Sequence, residues 1–156
     1  MKFEIRKLGT EELHLLSQLL DYHDFDAAME DNRREMEAGR NDIYAILGDE
    51  NTLLGELHIA YENGDERFCK PGKRAYFFAF RVHESMQGKG LGQKLMDYTL
   101  ASLKAKGYSE FTVGVEYDND RAKYMYAKYG FTEKIARMAE EFQGDAYEYD
   151  LLLRRD

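Results

Sequence analysis

The spacing of apolar residues along the chain predicts eleven elements of regular structure. Strands are indicated where apolar and polar residues alternate, and helices where apolar residues recur every three or four positions. The predicted order is β-α-α-β-β-β-α-β-α-β-β. The segments are 3–7, 10–22, 25–38, 43–47, 53–61, 75–82, 91–107, 111–115, 119–129, from 131 onward, and 147–153.

The two predicted N-terminal helices differ in character. Thr10 precedes two acidic residues, which predicts a helix start because the helix dipole favours negative charge in the first turn. A single apolar stripe follows, made of Leu13, Leu16, Leu19 and Leu20. The second helix is expected to be exposed, because opposite charges stand four residues apart on it: Glu30 with Arg34, and Arg33 with Glu37.

The segment 75–82 is almost entirely apolar, which predicts a strand buried on both faces. A glycine cluster, a helix and the strand 111–115 follow it. This succession predicts a right-handed crossover between two parallel strands. Before it, the polar segment 62–73 is predicted to be a mobile loop, and an incidental thiol is the favoured interpretation of its Cys69.

Composition narrows the class of protein. The 156 residues predict one domain, and 30 acidic against 22 basic residues give a net charge of −8. Such a charge disfavours nucleic acid or an anionic membrane as a partner and suits a cationic one. A lone cysteine and four histidines without ligand spacing predict no metal site. Without a signal-like N-terminus or a spanning apolar run, a cytoplasmic location is expected.

The segment from Gln87 to Gly92 carries the clearest chemical signal. A glycine-rich turn between a strand and a helix exposes backbone N–H groups at the positive end of the helix dipole, which suits a phosphate. The spacing G-x-G-x-G, with Gln93 in the sixth position, differs from the dinucleotide-binding fingerprint, and no P-loop motif is present. Taken alone, the glycines are equally compatible with close packing of helix on sheet.

Two motifs resemble those of the GNAT N-acetyltransferase superfamily. Gln87-Gly88-Lys89-Gly90-Leu91-Gly92 matches its [RQ]-x-x-G-x-[GA] loop. The segment 119–131 resembles its N-x-x-A-x-x-x-Y-x-x-x-G-F signature, with the fixed positions filled by Asn119, Ala122, Tyr126, Gly130 and Phe131. The order of elements also agrees. The resemblance implies one GNAT-like domain over residues 1–156. Its α/β fold would have a mixed, mostly antiparallel sheet, a central parallel pair splayed for coenzyme A, and helices on both faces.

The resemblance also implies direct transfer of an acetyl group from acetyl-coenzyme A to an amine. Its pantetheine arm would pair with main chain near Phe80 and Val82, and Asn119 would lie close to it. Tyr126 would be the general acid that protonates the departing thiolate, although a plain core tyrosine is the alternative. The pyrophosphate would lie on the backbone N–H groups of Gln87, Gly88, Lys89, Gly90, Leu91 and Gly92.

The general base is left open by the sequence. Many members of the superfamily have a glutamate on the strand equivalent to 75–82, but Tyr76 is expected at that position here. A solvated polar side chain is the competing interpretation for every candidate, and His83 is expected to be an ordinary loop residue. The candidates are Glu56, His58, Glu116 and Asp118.

The acceptor is expected to be a small cation, such as an aminoglycoside, a polyamine or a peptide amine. Acidic residues would form two walls of the acceptor cleft. A non-catalytic acyl-coenzyme A sensor or interaction module is the alternative function, and a homodimer is left open. The walls comprise Asp21, Asp24, Asp26, Glu30, Asp31, Glu35 and Glu37 on one side, and Glu140, Glu141, Asp145 and Glu148 on the other.

Overall fold

The computed structural model describes residues 2–142 and 144–156. Within them, seven strands form one sheet in the order β1-β2-β3-β4-β5-β7-β6. The strands are β1 (Glu4–Lys7), β2 (Asn41–Leu47), β3 (Leu53–Ala60), β4 (Arg74–Val82), β5 (Glu110–Glu116), β6 (Glu133–Phe142) and β7 (Asp145–Arg155). The helices are α1 (Phe25–Glu37), α2 (Leu91–Ala105) and α3 (Asp120–Lys128), with 3-10 helices at Thr10–Gln18, Asp49–Asn51 and Glu84–Met86.

The sheet has the predicted mixed topology. β4 and β5 are parallel and are joined through α2, while the other neighbouring strands are antiparallel. Helices α2 and α3 pack on one face of the sheet, and the first 3-10 helix packs with α1 on the other. No helix in the described residues is long and apolar enough to cross a membrane.

Helix α2 follows its predicted periodicity closely. The side chains that the sequence places on its apolar stripe are all buried and pack against β3, β4 and β5. Gly107 ends this segment with φ 97°, a conformation that glycine adopts without steric penalty. The buried stripe consists of Leu91, Leu95, Met96, Leu100 and Leu103.

The prediction of an α-helix over 10–22 is wrong. The segment is a 3-10 helix over Thr10–Gln18, and Gly9, not Thr10, stands at its N-cap. A 3-10 helix has three residues per turn, so the spacing of Leu13 and Leu16 places them on one face just as well as an α-helix does. Glu12 fixes the start, because its carboxylate accepts hydrogen bonds from Gly9 N (3.0 Å) and from the Arg6 guanidinium.

Helix α1 forms nearly as predicted, but its ion pairs differ. Asp24 caps it by accepting a hydrogen bond from Ala27 N at 3.0 Å. Arg33 bonds to both Glu30 and Glu37. Arg34 does not pair with Glu30, as expected from the sequence, but with Asp31, which lies three residues before it. On an exposed helix surface, spacings of three and four residues bring charges equally close.

Strand β4 is not buried on both faces along its whole length, as the apolar run predicts. Ala75 and Phe77 are buried, whereas residues 78–82 are partly exposed. Residues 78–82 are partly exposed because β4 is paired with β5 only as far as Phe77. The segment 62–73 is a loop as expected, but Phe68 and Cys69 within it are buried. Burial raises the pKa of the Cys69 thiol to about 11, which agrees with an unreactive thiol.

Candidate active site

A gap opens in the middle of the sheet. The parallel ladder pairs Arg74–Phe77 of β4 with residues 110–113 of β5 and ends there, although both strands continue. Ala79 has φ 49°, a left-handed conformation that is rare for any residue but glycine. At the same place the register between β3 and β4 shifts, between Glu56 and His58. This bulge bends the second half of β4 away from β5.

The glycine-rich turn borders this gap at the start of α2. Gly88 and Gly90 have φ 76° and 79°, and nothing lies within 4 Å of the place where a Cβ would stand on either. Gly90 is the N-cap of α2 and offers no side chain to bond the first helical N–H groups. These N–H groups are therefore available to an anion, at the positive end of the helix dipole. The backbone fits the phosphate site that the sequence predicts.

A cavity of about 500 Å³ lies between this turn and α3. Gly92 gives it room, because a Cβ there would stand 3.4 Å from both the Phe80 ring and the Tyr129 hydroxyl. Seven of the predicted cofactor residues line the cavity: Phe80, Val82, Gln87, Gly88, Gly90, Leu91 and Gly92. The sequence analysis did not assign a binding role to its other lining residues, which are Met86, Gln93, Arg121, Met125 and Tyr129.

Two predicted cofactor residues lie outside the lining of this cavity. Lys89 is exposed in the turn. Asn119 lines a neighbouring cavity of about 450 Å³, which also contains Arg121 and Met125. The Asn119 side chain accepts a hydrogen bond from Ala122 N at 3.0 Å and so caps α3. Arg121 supplies a positive charge where the two cavities meet, which suits an anionic ligand.

Tyr126 is packed among aromatic rings at the gap. Its ring contacts those of Phe80, Tyr129 and Phe131, with centroids 5.9–6.5 Å apart. Burial, with a smaller contribution from Tyr129, raises the pKa of Tyr126 to about 12. The phenol is therefore protonated at neutral pH, as a proton donor must be. It is close enough to Tyr76, on β4, to contribute to the raised pKa of that residue.

Two candidates for the general base lie at the bulge and contact each other. His58 Nε2 is 3.1 Å from one oxygen of the buried Glu56 carboxylate, and Arg81 Nη1 donates to the other at 2.8 Å. Both oxygens of the Glu56 carboxylate are therefore occupied by neighbouring side chains. Glu56 thus ties β3 to the second half of β4.

The remaining candidates lie on the β5 side of the gap. Glu116, the last residue of β5, is exposed and lines two adjoining cavities, and Asp118 lines one of them. The side chain of Glu116 makes no hydrogen bond within the described residues, so its carboxylate is available to a ligand. His83 accepts a hydrogen bond from Ser85 N at 3.2 Å and caps a short 3-10 helix, consistent with its expected loop role.

Asp150 is a buried carboxylate that the sequence analysis did not single out. It accepts hydrogen bonds from Lys123 Nζ (2.7 Å) and Arg137 Nε (2.8 Å), and Lys134 Nζ lies 3.4 Å away. The hydrogen bond from Arg137 is the main cause that holds the pKa of Asp150 well below its usual range. Because Lys123 belongs to α3, this network fixes the helix that carries Tyr126. Its only signal in the sequence is an acidic residue next to the apolar run 151–153.

Residues 10–131 match the profile of the family described as "Acetyltransferase (GNAT) family". The chain belongs to the GNAT acetyltransferase family. It is 24% identical over 99 residues to an uncharacterized N-acetyltransferase, YdgE, of Bacillus subtilis (strain 168). That match covers 64% of this chain and 60% of the length of YdgE.

Two of the solved structures with similar folds come from Vibrio cholerae. The spermidine/spermine N-acetyltransferase SpeG in complex with manganese ions has a TM-score of 0.75 at 18% identity, covering 99% of this chain and 92% of that one. A dodecameric structure of spermidine N-acetyltransferase has a TM-score of 0.73 at 17% identity, covering 98% and 93%. At these identities the likeness establishes the GNAT fold. As to metals, within the described residues no group of three or more His, Cys, Asp or Glu is placed to hold an ion.

Proposed function

We propose that this GNAT protein is an N-acetyltransferase that moves the acetyl group of acetyl-coenzyme A to the primary amine of a small cationic acceptor. One observation carries the proposal. The phosphate-suited turn at Gly88 and Gly90, the cavity beside it and the partly buried phenol of Tyr126 all meet at the gap between β4 and β5.

Acetyl-coenzyme A supplies an activated acetyl thioester. The residues of the chain fit its binding in two ways. The N–H groups at the start of α2, with Arg121 nearby, suit its phosphates. The second half of β4, around Phe80 and Val82, has backbone groups without a β5 neighbour on the side of the gap, and these can pair with an extended amide-containing arm.

Tyr126 holds the proton that the reaction requires for its leaving group. Its pKa of about 12 keeps the phenol protonated at neutral pH, so it can donate a hydrogen bond to the departing sulfur, or its proton as the C–S bond breaks. On the acceptor, an alkylamine of pKa about 10.4 must lose a proton before it can react. Among the four candidate bases, Glu116 best suits this role, because its carboxylate is exposed and lines a cavity next to the gap.

The cationic character of the acceptor is supported by the charge of the protein and by its structural relatives. A net charge of −8 attracts cations. The names of the two Vibrio cholerae proteins specify spermidine or spermine, which are polycations, as their acceptors. Neither observation by itself selects a polyamine over another small amine.

The decisive experiment has two readouts. Coenzyme A at millimolar concentration should raise the melting temperature, because a ligand that binds only the folded state stabilises it. Incubation of acetyl-coenzyme A with a panel of amines should then release thiol with at least one of them. A thermal shift without thiol release from any amine would favour the alternative function, an acyl-coenzyme A sensor that binds without turnover.

Gly90→Glu should abolish the thermal shift through bulk and like-charge repulsion. Gly72→Glu is a matched control, since Gly72 has the same φ of 79°, is equally free of neighbours within 4 Å, and lies in the loop before β4. Both variants should lose similar stability from backbone strain, but only Gly90→Glu should lose coenzyme A binding. Equal thermal shifts in the two variants would disprove the assignment of the turn.

A further inference from the structure

A second cavity of about 500 Å³ lies on the opposite face of the sheet from α2 and α3. Its walls are mainly aromatic and acidic, and none of the described residues that line it is basic. Four rings contribute: Phe68, Tyr76, Tyr147 and Tyr149. Three carboxylates contribute as well: Asp65, Glu116 and Glu140. We call this space the aromatic pocket.

The register of three strands brings these side chains together. On β7, Tyr147 and Tyr149 are two residues apart and so point to the same face. Glu140 of β6 is directly opposite Tyr147, and Glu116 of β5 is directly opposite Tyr149. The loop that carries Phe68 closes the pocket, because Thr112 Oγ1 donates a hydrogen bond to the Phe68 carbonyl at 2.5 Å.

The aromatic pocket reaches the gap between β4 and β5 at Gly114. A Cβ on Gly114 would lie 2.9 Å from the Tyr149 ring and 3.4 Å from the Tyr76 hydroxyl, so glycine is what allows these groups to meet there. Gly114 is the first β5 residue beyond the end of the parallel ladder. Tyr126 approaches from the α3 side closely enough to affect the pKa of Tyr76. The aromatic pocket and the cavity beside the glycine-rich turn are therefore on opposite sides of the gap between β4 and β5.

The pocket has the electrostatic character of a site for an ammonium group. Glu140 accepts hydrogen bonds from the hydroxyls of Tyr147 (2.8 Å) and Tyr149, which fix both rings around its carboxylate. Ring faces attract cations, and a carboxylate among them adds a full negative charge. Asp65 is paired with Arg67 at 2.7 Å, whereas Glu116 and Glu140 have no cationic partner among the described residues. The pocket thus offers negative potential with no internal counter-ion.

We propose that the aromatic pocket binds a second, non-reacting ammonium group of the acceptor, and that the acceptor is an aliphatic di- or polyamine. This inference rests on the proposed acetyl transfer. The reacting nitrogen must be neutral and must lie in the gap, next to Gly114. The other nitrogen keeps its charge and is held by Glu140 and the tyrosine rings. A flexible methylene chain joins the two and contacts Tyr76 and Tyr149.

The test compares 1,4-diaminobutane with butylamine, which has the same four-carbon chain and lacks the second charge. With acetyl-coenzyme A saturating, Glu140→Gln should raise KM for the diamine at least tenfold. KM for butylamine and for acetyl-coenzyme A should change less than twofold. Tyr147→Ala should act in the same direction, and because Tyr147 is 38% exposed and belongs to none of the hydrophobic clusters this change leaves the core intact.

Glu141→Gln is the matched control. It removes one negative charge from the neighbouring residue of β6, which does not line the pocket. It should leave both amine KM values unchanged. Equal effects of Glu140→Gln and Glu141→Gln, or equal effects of Glu140→Gln on diamine and monoamine, would overturn the proposal.

Calorimetric titration of 1,4-diaminobutane separates this proposal from the proposed reaction. Binding to the wild type that is lost in Glu140→Gln, without thiol release, would leave the pocket assigned and refute the acetyl transfer. Thiol release with amines at a rate that Glu140→Gln does not change would support the acetyl transfer and refute the assignment of the pocket. Melting temperatures of the variants within a few degrees of the wild type verify that each is folded.

Discussion

At the scale of single residues, Tyr126 differs from the other tyrosines of α3 in its surroundings. It is enclosed by Phe80, Tyr129 and Phe131, whereas Tyr124 is 66% exposed. Enclosure removes water that would stabilise the phenolate, so the neutral phenol is favoured. A phenol in this state stays protonated at neutral pH and can donate a hydrogen bond to the departing sulfur, or its proton as the C–S bond breaks.

Tyr126→Phe should lower kcat by about a hundredfold, the range for loss of a general acid, with little change in KM for acetyl-coenzyme A. Since the pKa of Tyr126 is about 12, its ionisation should produce no fall in wild-type activity below about pH 11. Steady-state kinetics between pH 7 and about pH 10 provide the measurement. Tyr124→Phe makes the same chemical change on an exposed part of α3 and should retain wild-type kcat. A Tyr126→Phe enzyme as active as this control would leave Tyr126 as a core residue only.

At the scale of elements, the decisive feature is the bulge in β4. It depends on Ala79 in a left-handed conformation and is held by Glu56, which bonds across it to Arg81. A non-glycine residue at such φ stores roughly 1–2 kcal/mol of strain. The strained conformation of Ala79 goes together with the gap, because the gap exists only if β4 turns away from β5 after Phe77.

Ala79→Val should reduce the free energy of unfolding by about 1–3 kcal/mol, because a β-branched side chain tolerates this conformation poorly. Ala79→Gly should stay within about 1 kcal/mol of the wild type, since relief of strain offsets the greater entropy of the unfolded chain. Urea unfolding measures both values. The valine variant should also bind coenzyme A more weakly, through distortion of the gap. Equal stability and equal binding in the two variants would show that the bulge does not depend on the left-handed Ala79.

Several elements were predictable because local pattern determines them. The stripe of α2, the cap at Asn119 and the glycine turn follow from residue types at fixed spacing. The bulge was not predictable, because Ala79 stands in an uninterrupted apolar run without a glycine to mark it. The 3-10 helix at Thr10–Gln18 was missed because a three-residue spacing of leucines fits both helix types.

The aromatic pocket could not be found from the sequence for a different reason. Its members come from four strands and a loop, and only the register of β5, β7 and β6 brings Glu116, Tyr149 and Glu140 together. Alternation shows which residues share a face of one strand, but not which residues of separate strands are opposite each other. Glu140 was predicted as part of an acidic wall, and the structure adds the rings around it.

At the scale of the whole molecule, the two predicted acidic walls differ in how far neighbouring cations offset their negative charge. On the α1 side, four of the predicted wall residues form ion pairs with three arginines, Arg33, Arg34 and Arg40, which offset most of their negative charge. These four are Glu30, Asp31, Glu35 and Glu37. Near β6 and β7, Glu140 accepts hydrogen bonds from tyrosine hydroxyls and has no cationic partner among the described residues. Negative potential should therefore be focused on the side of the aromatic pocket.

This distribution predicts how activity responds to salt. With acetyl-coenzyme A saturating, kcat/KM for 1,4-diaminobutane should fall severalfold as ionic strength rises from about 20 mM to about 300 mM, because exposed charges are screened beyond roughly 8–10 Å at physiological salt. The fall should be smaller for butylamine, which carries one charge instead of two. The kcat/KM for acetyl-coenzyme A, an anion that the net charge of −8 repels, should not fall and serves as the internal control. Values for the diamine that are independent of salt would mean that the acidic residues serve solubility and do not attract the acceptor.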